Sequence, residues 1–231
     1  MVELKNISKR YGDTAALNVP TLTIPAGEHL GLVGNNGAGK TTLFSLALDL
    51  IQPSSGSVSI NGIEVAKSEA WKKNCSAFID DHFLIDYLTP EEYFRFVAQL
   101  RKVTPDALAR FLDQFKAFFN DEVLDQKKYI RDFSKGNQKK IGIAAAFIGD
   151  AELIILDEPF ANLDPSSQIR LKDFLASKVN QKRTLLVSSH DLNHVTDVCQ
   201  RIVLLEKGHI IKDTPKSAKT LKELEAYFSG Q

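Results

Sequence analysis

The chain opens with short apolar–polar alternations, VELKNIS, TLTI and HLGLVG, separated by turn residues, and a further run, SVSING, bends at Asn61-Gly62. A period of two predicts half-buried strands. After HLGLVG, the segment TTLFSLALDLI changes to the helical period, so this region reads strand, glycine-rich loop, helix. From about residue 84 the strand pattern stops. Thr89-Pro90-Glu91-Glu92 has the spacing of a capping box with proline in the first turn, and Tyr93, Phe96, Val97 and Leu100 follow at helical spacing. Thr104-Pro105-Asp106 starts a second helix with Leu108, Phe111, Leu112 and Phe115 on one face. Both stripes read as core-packing faces. Beyond about residue 140 the rhythm of strand and helix returns. AELIILDEP is a buried strand, Asp164-Pro165 opens a helix, and RTLLVSSH is another strand. Leu192, Val195 and Val198 mark a further helix, and RIVLLEKGHII reads as a hairpin turning at Lys207-Gly208.

These elements predict an α/β chain with a mainly parallel sheet core covered on both faces, an N-terminal antiparallel β subdomain and an inserted α-helical subdomain. The insertion spans about 84–135, and 1–83 with 136–231 form the core of a single domain over 1–231. Ligands on such sheets bind at the carboxyl ends of the strands.

Composition narrows the function classes. Lys+Arg and Asp+Glu are both 29, so no global field argues for nucleic acid or an anionic surface. The N-terminus MVELKNISKRYGD lacks the apolar stretch of a signal peptide, and no apolar run approaches the ~18–20 residues that span a bilayer. Cys75 and Cys199 have no metal-ligand spacing and read as reduced packing residues. A cytoplasmic chain is expected, one that reaches a membrane only through a partner.

Three strand ends carry candidate chemistry. GNNGAGKTT (Gly34, Asn35, Asn36, Gly37, Ala38, Gly39, Lys40, Thr41, Thr42) matches G-x-x-x-x-G-K-[ST] between a strand and a helix. Its glycines let successive N–H groups turn inward onto phosphate oxygens, and the helix N-terminus adds its positive end. Lys40 can reach the β- and γ-phosphates and the Thr41 hydroxyl can ligate Mg²⁺. LIILDEP presents Asp157, suited to Mg²⁺, and then Glu158, suited to polarise an attacking water as general base. The pattern is that of a P-loop NTPase. SSH ends the next strand at the same edge, where His190 can hydrogen-bond a phosphate oxygen and orient a carboxylate.

FSKGNQKK, Phe133 to Lys140, is the remaining anomaly: a polar, basic segment directly before apolar IGIAAAFI. Alone it is a helix start, with Lys139 and Lys140 as its exposed edge. Together with GNNGAGKTT, LIILDEP, ANLD and SSHD, it resembles the signature segment of ATP-binding cassette (ABC) transporter nucleotide-binding subunits, over essentially the whole chain. That resemblance implies ATP and Mg²⁺ as substrate and cofactor, a head-to-tail pair of ATPase subunits (a homodimer), and a separate transmembrane permease, with no nucleic acid. It implies that Ser134 and Gly136 complete the ATP site of the opposing subunit, that Tyr11 stacks on adenine, and that Ala161–Asp164 link the two sites. Asp164 equally suits a helix cap. Lys135 stands where a glycine is usual, a variant similar to exporter-type cassettes, and Asn137 replaces the usual glutamine. Asp80 falls at the position of a Mg²⁺-holding glutamine and is the third candidate metal ligand. The short stretch after the last hairpin, TLKELEAYFSGQ, fits the exporter type too. The expected function is ATP hydrolysis driving transport, peripheral on the inner face of the membrane; a soluble mechanical ATPase or a nucleotide-binding regulator with weak turnover are the alternatives.

Overall fold

A computed structural model describes residues 1–177 and 183–229; Gly230 and Gln231 of the terminal stretch lie outside them. Strands β1 (Val2–Tyr11) and β2 (Thr14–Ile24) form a hairpin, followed by β3 (His29–Val33) and helix α1 (Lys40–Ala47). Next come β4 (Ser55–Ile60), β5 (Ile63–Glu64) and β6 (Cys75–Phe78). Helices α2 (Pro90–Leu100), α3 (Pro105–Phe119) and α4 (Lys135–Ala146) occupy the middle of the chain. After them run β7 (Leu153–Leu156), α5 (Pro165–Ala176), β8 (Thr184–Ser189), α6 (Leu192–Val198), β9 (Arg201–Glu206), β10 (His209–Pro215) and α7 (Ala218–Ser229).

Two sheets result. The N-terminal sheet is antiparallel in the order β2-β1-β4-β5, and the core sheet has the order β10-β9-β3-β8-β7-β6. All pairs of the core sheet are parallel except β9 with β10. Strands such as LIIL are apolar throughout, because both faces of a parallel sheet are covered. The side-chain period of two then deals them into separate cores. Leu153 and Ile155 pack with α1 and the N-terminal sheet, whereas Ile154 and Leu156 pack with the helices.

Both turns read from the sequence close two-residue hairpins. Asn61 and Gly62 have φ of 50° and 78°, and Lys207 and Gly208 have 46° and 80°, the left-handed pair that suits the twist of antiparallel strands. The capping box at Thr89 forms with both of its bonds.

Two expectations need correction. Helix α1 ends at Ala47 rather than running on through Ile51, because Asp49 turns left-handed (φ 54°). The Leu50 and Asp49 amides donate back to Ser45 and Leu46 carbonyls at 2.9 and 3.2 Å, a Schellman-type stop. In α2 the buried face is Pro90, Phe94 and Ala98, with Tyr93 and Val97 at its border, while Phe96 and Leu100 are 40% and 67% exposed. Apolar residues lie on both sides of this helix, so spacing alone does not select the inward one. Phe94 is chosen by its stack on Phe119, 5.8 Å between ring centres. In α3, Leu108 and Phe115 are buried as expected, and Phe118 and Phe119 extend that face.

Candidate nucleotide site

The loop after β3 is shaped by close approaches that only glycine permits. A Cβ on Gly34 would stand 2.3 Å from the Leu205 carbonyl oxygen, and Gly39 has φ 108°. Gly39 also precedes α1 without offering a side-chain cap, so the first amides of the helix are left for an anion. The loop borders a cleft of about 440 Å³, lined by Asn36 to Thr42, Thr14 to Ala16, Glu158 and Lys207. That volume is in the range of small-molecule sites. Lys40 is buried, its ammonium donating to the carbonyl oxygens of Gly34 (2.5 Å) and Asn35 (3.3 Å).

Strands β3, β7 and β8 are adjacent, so their carboxyl ends bring the distant motifs together. Thr41 Oγ1 donates to Asp157 Oδ2 at 2.5 Å, and buried Ser188 donates to Asp157 Oδ1. Burial raises the Asp157 pKa, against the lowering effect of those two hydroxyls. The buried charge therefore suits a cation. An oxygen-only donor pair of carboxylate and hydroxyl fits a hard divalent ion such as Mg²⁺.

Glu158 is held at every polar atom but one. Its amide donates to Ser188 Oγ at 2.8 Å, and its carbonyl accepts from Lys139 Nζ at 2.8 Å. Oε2 lies 2.9 Å from His190 Nδ1. Oε1 stands 3.1 Å from Lys40 Nζ but out of hydrogen-bond alignment, and it is left buried without a hydrogen bond. The backbone at Glu158 is left-handed, φ 46°, a conformation that costs a non-glycine residue about 1–2 kcal/mol. A carboxylate oxygen without a donor, next to a lysine and a histidine, is able to accept a proton from a water.

The signature-like segment sits elsewhere. Ser134 caps α4 by accepting from the Asn137 amide at 3.3 Å, and a Cβ on Gly136 would meet the Asn162 carbonyl oxygen at 2.7 Å. Neither residue lines the cleft of its own chain. Lys135 pairs with Asp81 instead of facing solvent unpartnered. Lys139 and Lys140 are not the exposed edge expected of them. Lys140 is only 2% exposed and pairs with Glu122 at 3.0 Å and Asp164 at 3.8 Å. Lys139 is half-buried on the Glu158 carbonyl, and burial lowers its pKa. Both bend inward because α4 starts against the loop that follows β7. Gln138, also buried, reaches back to the carbonyls of Ile130 (3.1 Å), Arg131 (3.3 Å) and Phe133 (3.0 Å), fixing the approach to the helix.

Two further candidates lie apart from the cleft lining. Tyr11 ends β1, paired with Thr14 and 55% exposed, with Lys9 Nζ 4.9 Å above its ring. Asp80 keeps to its own turn, accepting the His82 amide at 2.8 Å. Among the described residues, no hydrogen bond or ion pair joins it to Thr41 or Asp157. Asp164 caps α5 through the Ser167 amide at 3.0 Å, as its position before Pro165 implied. Sequence reasoning missed Ser188 and Lys139. Ser188 was visible as the first residue of SSH near a strand end; nothing in a single sequence pairs Lys139 with Glu158.

Residues 17–161 match the profile of the family described as ABC transporter. The chain belongs to that family. It is an ATP-binding, ATP-hydrolysing subunit of ABC type, with the mixed fold of such cassettes. It is 30% identical over 218 residues to the ABC transporter ATP-binding protein NatA of Bacillus subtilis, covering 91% of this chain and 88% of the relative. To the bacitracin transport ATP-binding protein BcrA of Enterococcus faecalis it is 30% identical, with 92% and 68% covered. A relative from Nostoc sp. is 34% identical over 83% of this chain, which spans 57% of that relative's length. A solved structure of an ATP-binding subunit of an ABC transporter superposes with a TM-score of 0.84 at 27% identity, covering 98% of this chain and 93% of the other. Among the described residues, no helix is long and apolar enough to cross a membrane.

Proposed function

We propose that this ABC subunit hydrolyses Mg²⁺-bound ATP with Glu158 as general base, works as a pair, and drives export through a separate transmembrane permease. The observation that carries the reading is the Glu158 carboxylate, one oxygen on His190 and the other free of hydrogen bonds beside Lys40. Phosphates at the uncapped start of α1 would lie within reach of both basic groups. Lys40 and the loop amides hold the phosphates, and Glu158 takes the proton of the attacking water. His190 keeps the carboxylate oriented and contacts the γ-phosphate region. Thr41 and Asp157 would hold the metal ion, which supplies neutralisation of phosphate charge; Asp80, the third ligand of this proposal, would have to leave its own turn with His82 to reach it. Adenine stacks on Tyr11 at the hairpin end.

Pairing is supported by Ser134 and Gly136, which present a hydroxyl and an amide at a helix start away from their own cleft. In a head-to-tail homodimer they address the partner's ATP. The relatives named for bacitracin and lantibiotic transport, the latter SrtF of Streptococcus pyogenes at 29% identity over 100% of this chain, support export. The 84–135 helical segment would pass the motion to the permease at the cytoplasmic face of the membrane.

The test is Glu158→Gln. ATP binding should stay within about two-fold and turnover should fall at least 10²-fold, with an ATP-dependent dimer accumulating in size-exclusion chromatography. Normal hydrolysis by this variant would remove Glu158 as the base.

A further inference from the structure

We infer that Lys139 is a positioning residue that aims the Glu158 carboxylate and ties it to the signature helix of the same chain. This rests on Glu158 acting as the base. The left-handed backbone at Glu158 is sparsely populated for any residue with a side chain, so it persists only where its surroundings over-determine it. Two side chains do so from opposite ends of the residue. Ser188 accepts its amide at 2.8 Å, and the Lys139 ammonium donates to its carbonyl at 2.8 Å; the Ala161 amide is a longer second donor at 3.2 Å. Without the ammonium the carbonyl keeps only the longer Ala161 bond, the left-handed turn is held less firmly, and the carboxylate loses its fixed aim at Lys40 and His190.

The tether also has a direction. Lys139 lies one turn beyond Ser134 and Gly136 on α4, and Gly136 is packed against the Asn162 carbonyl in the loop that follows Glu158. A shift of the first turn of α4, such as engagement of an opposing subunit's nucleotide would produce, is transmitted through Lys139 to the base of the same chain. Each site then responds to occupancy of the other without a change in its own phosphate loop.

The experiment compares steady-state ATPase rates and ATP affinity for Lys139→Met, Lys139→Arg and Lys139→Gln, alone and in a Glu158→Gln background. Methionine fills the same volume without a donor, and the shorter glutamine amide leaves the carbonyl out of reach. Both should lower kcat about ten- to hundred-fold while KM and Kd for ATP stay within about two-fold, as misplacement of a reacting group does. Arginine should restore kcat to within about three-fold of the parent. In the Glu158→Gln background, measured by single turnover, Lys139→Met should cause no further loss, since residues acting through one another are non-additive. Unchanged kcat for both variants, failed rescue by arginine, or multiplied losses in the double variant would overturn the tether. An inert Glu158→Gln beside a fully active Lys139→Met sinks the tether alone; a fully active Glu158→Gln sinks the base assignment and the tether with it.

Discussion

Ser188→Ala isolates the hydroxyl that joins the two carboxylate residues. Ser188 is fully buried and makes two bonds, donating to Asp157 Oδ1 and accepting the Glu158 amide at 2.8 Å. Its removal leaves one buried carboxylate oxygen and one buried N–H short of a partner, at about 1–3 kcal/mol each. A total loss of about 2–6 kcal/mol is expected, or about 4–24 °C in Tm for a chain of this size. Circular dichroism melts without nucleotide measure it. The pH dependence adds a second handle. Burial already holds the Asp157 pKa above its ordinary value, and the Ser188 hydroxyl works against that rise. With a folded pKa above the unfolded one, the folded state binds the proton first, so the penalty of the ionised form is present at neutral pH and relieved as pH falls through the folded value. The deficit of Ser188→Ala should therefore narrow as pH drops toward the carboxylate range. A melting midpoint within about 2 °C of the parent at neutral pH would refute the energetic role given to these bonds.

Gly136→Ala places a Cβ 2.7 Å from the Asn162 carbonyl oxygen; forcing the helix off the loop should cost about 1–3 kcal/mol, and ATPase assays should fall with the melting midpoint. Asp164→Ala removes the cap of α5, a loss of about 0.5–2 kcal/mol readable by urea titration. Hydrogen bonds from Ser167 and Ser166 hold the Asp164 pKa well below the usual carboxylate range. That contribution is present above the unfolded pKa and lost as pH falls through the folded one, so parent and variant should converge in strong acid.

Legibility in the sequence followed the range of the interaction. GNNGAGKTT, LIILDEP and SSH each carry their chemistry within a few residues, and the rule that ligands gather at carboxyl strand ends was enough to assemble Lys40, Asp157, Glu158 and His190. The capping box at Thr89 and the turns at Asn61 and Lys207 are likewise local. What failed depended on an opposing surface. Which side of α2 turns inward is decided by Phe119, and whether Lys139 and Lys140 meet water is decided by Glu158, Glu122 and Asp164. An amphipathic pattern records that a residue has company without recording whose. The end of α1 is different again: an aspartate in a left-handed stop is a weaker signal than a glycine, and the apolar residues beyond it masked the break.

The strand order also bears on how the chain is made. The N-terminal sheet draws all its strands from Val2 to Glu64, so it can close early in synthesis. β3, which leads into the phosphate loop, is flanked in the sheet by β8 and β9, the latter ending at Glu206. On a ribosome, where folding proceeds from the N-terminus, that central strand emerges long before either neighbour and must wait as an unpaired apolar edge. Nascent chains halted before Thr184 would hold the strands of the small sheet but neither the Leu186 and Val203 side chains that complete its core nor a nucleotide site.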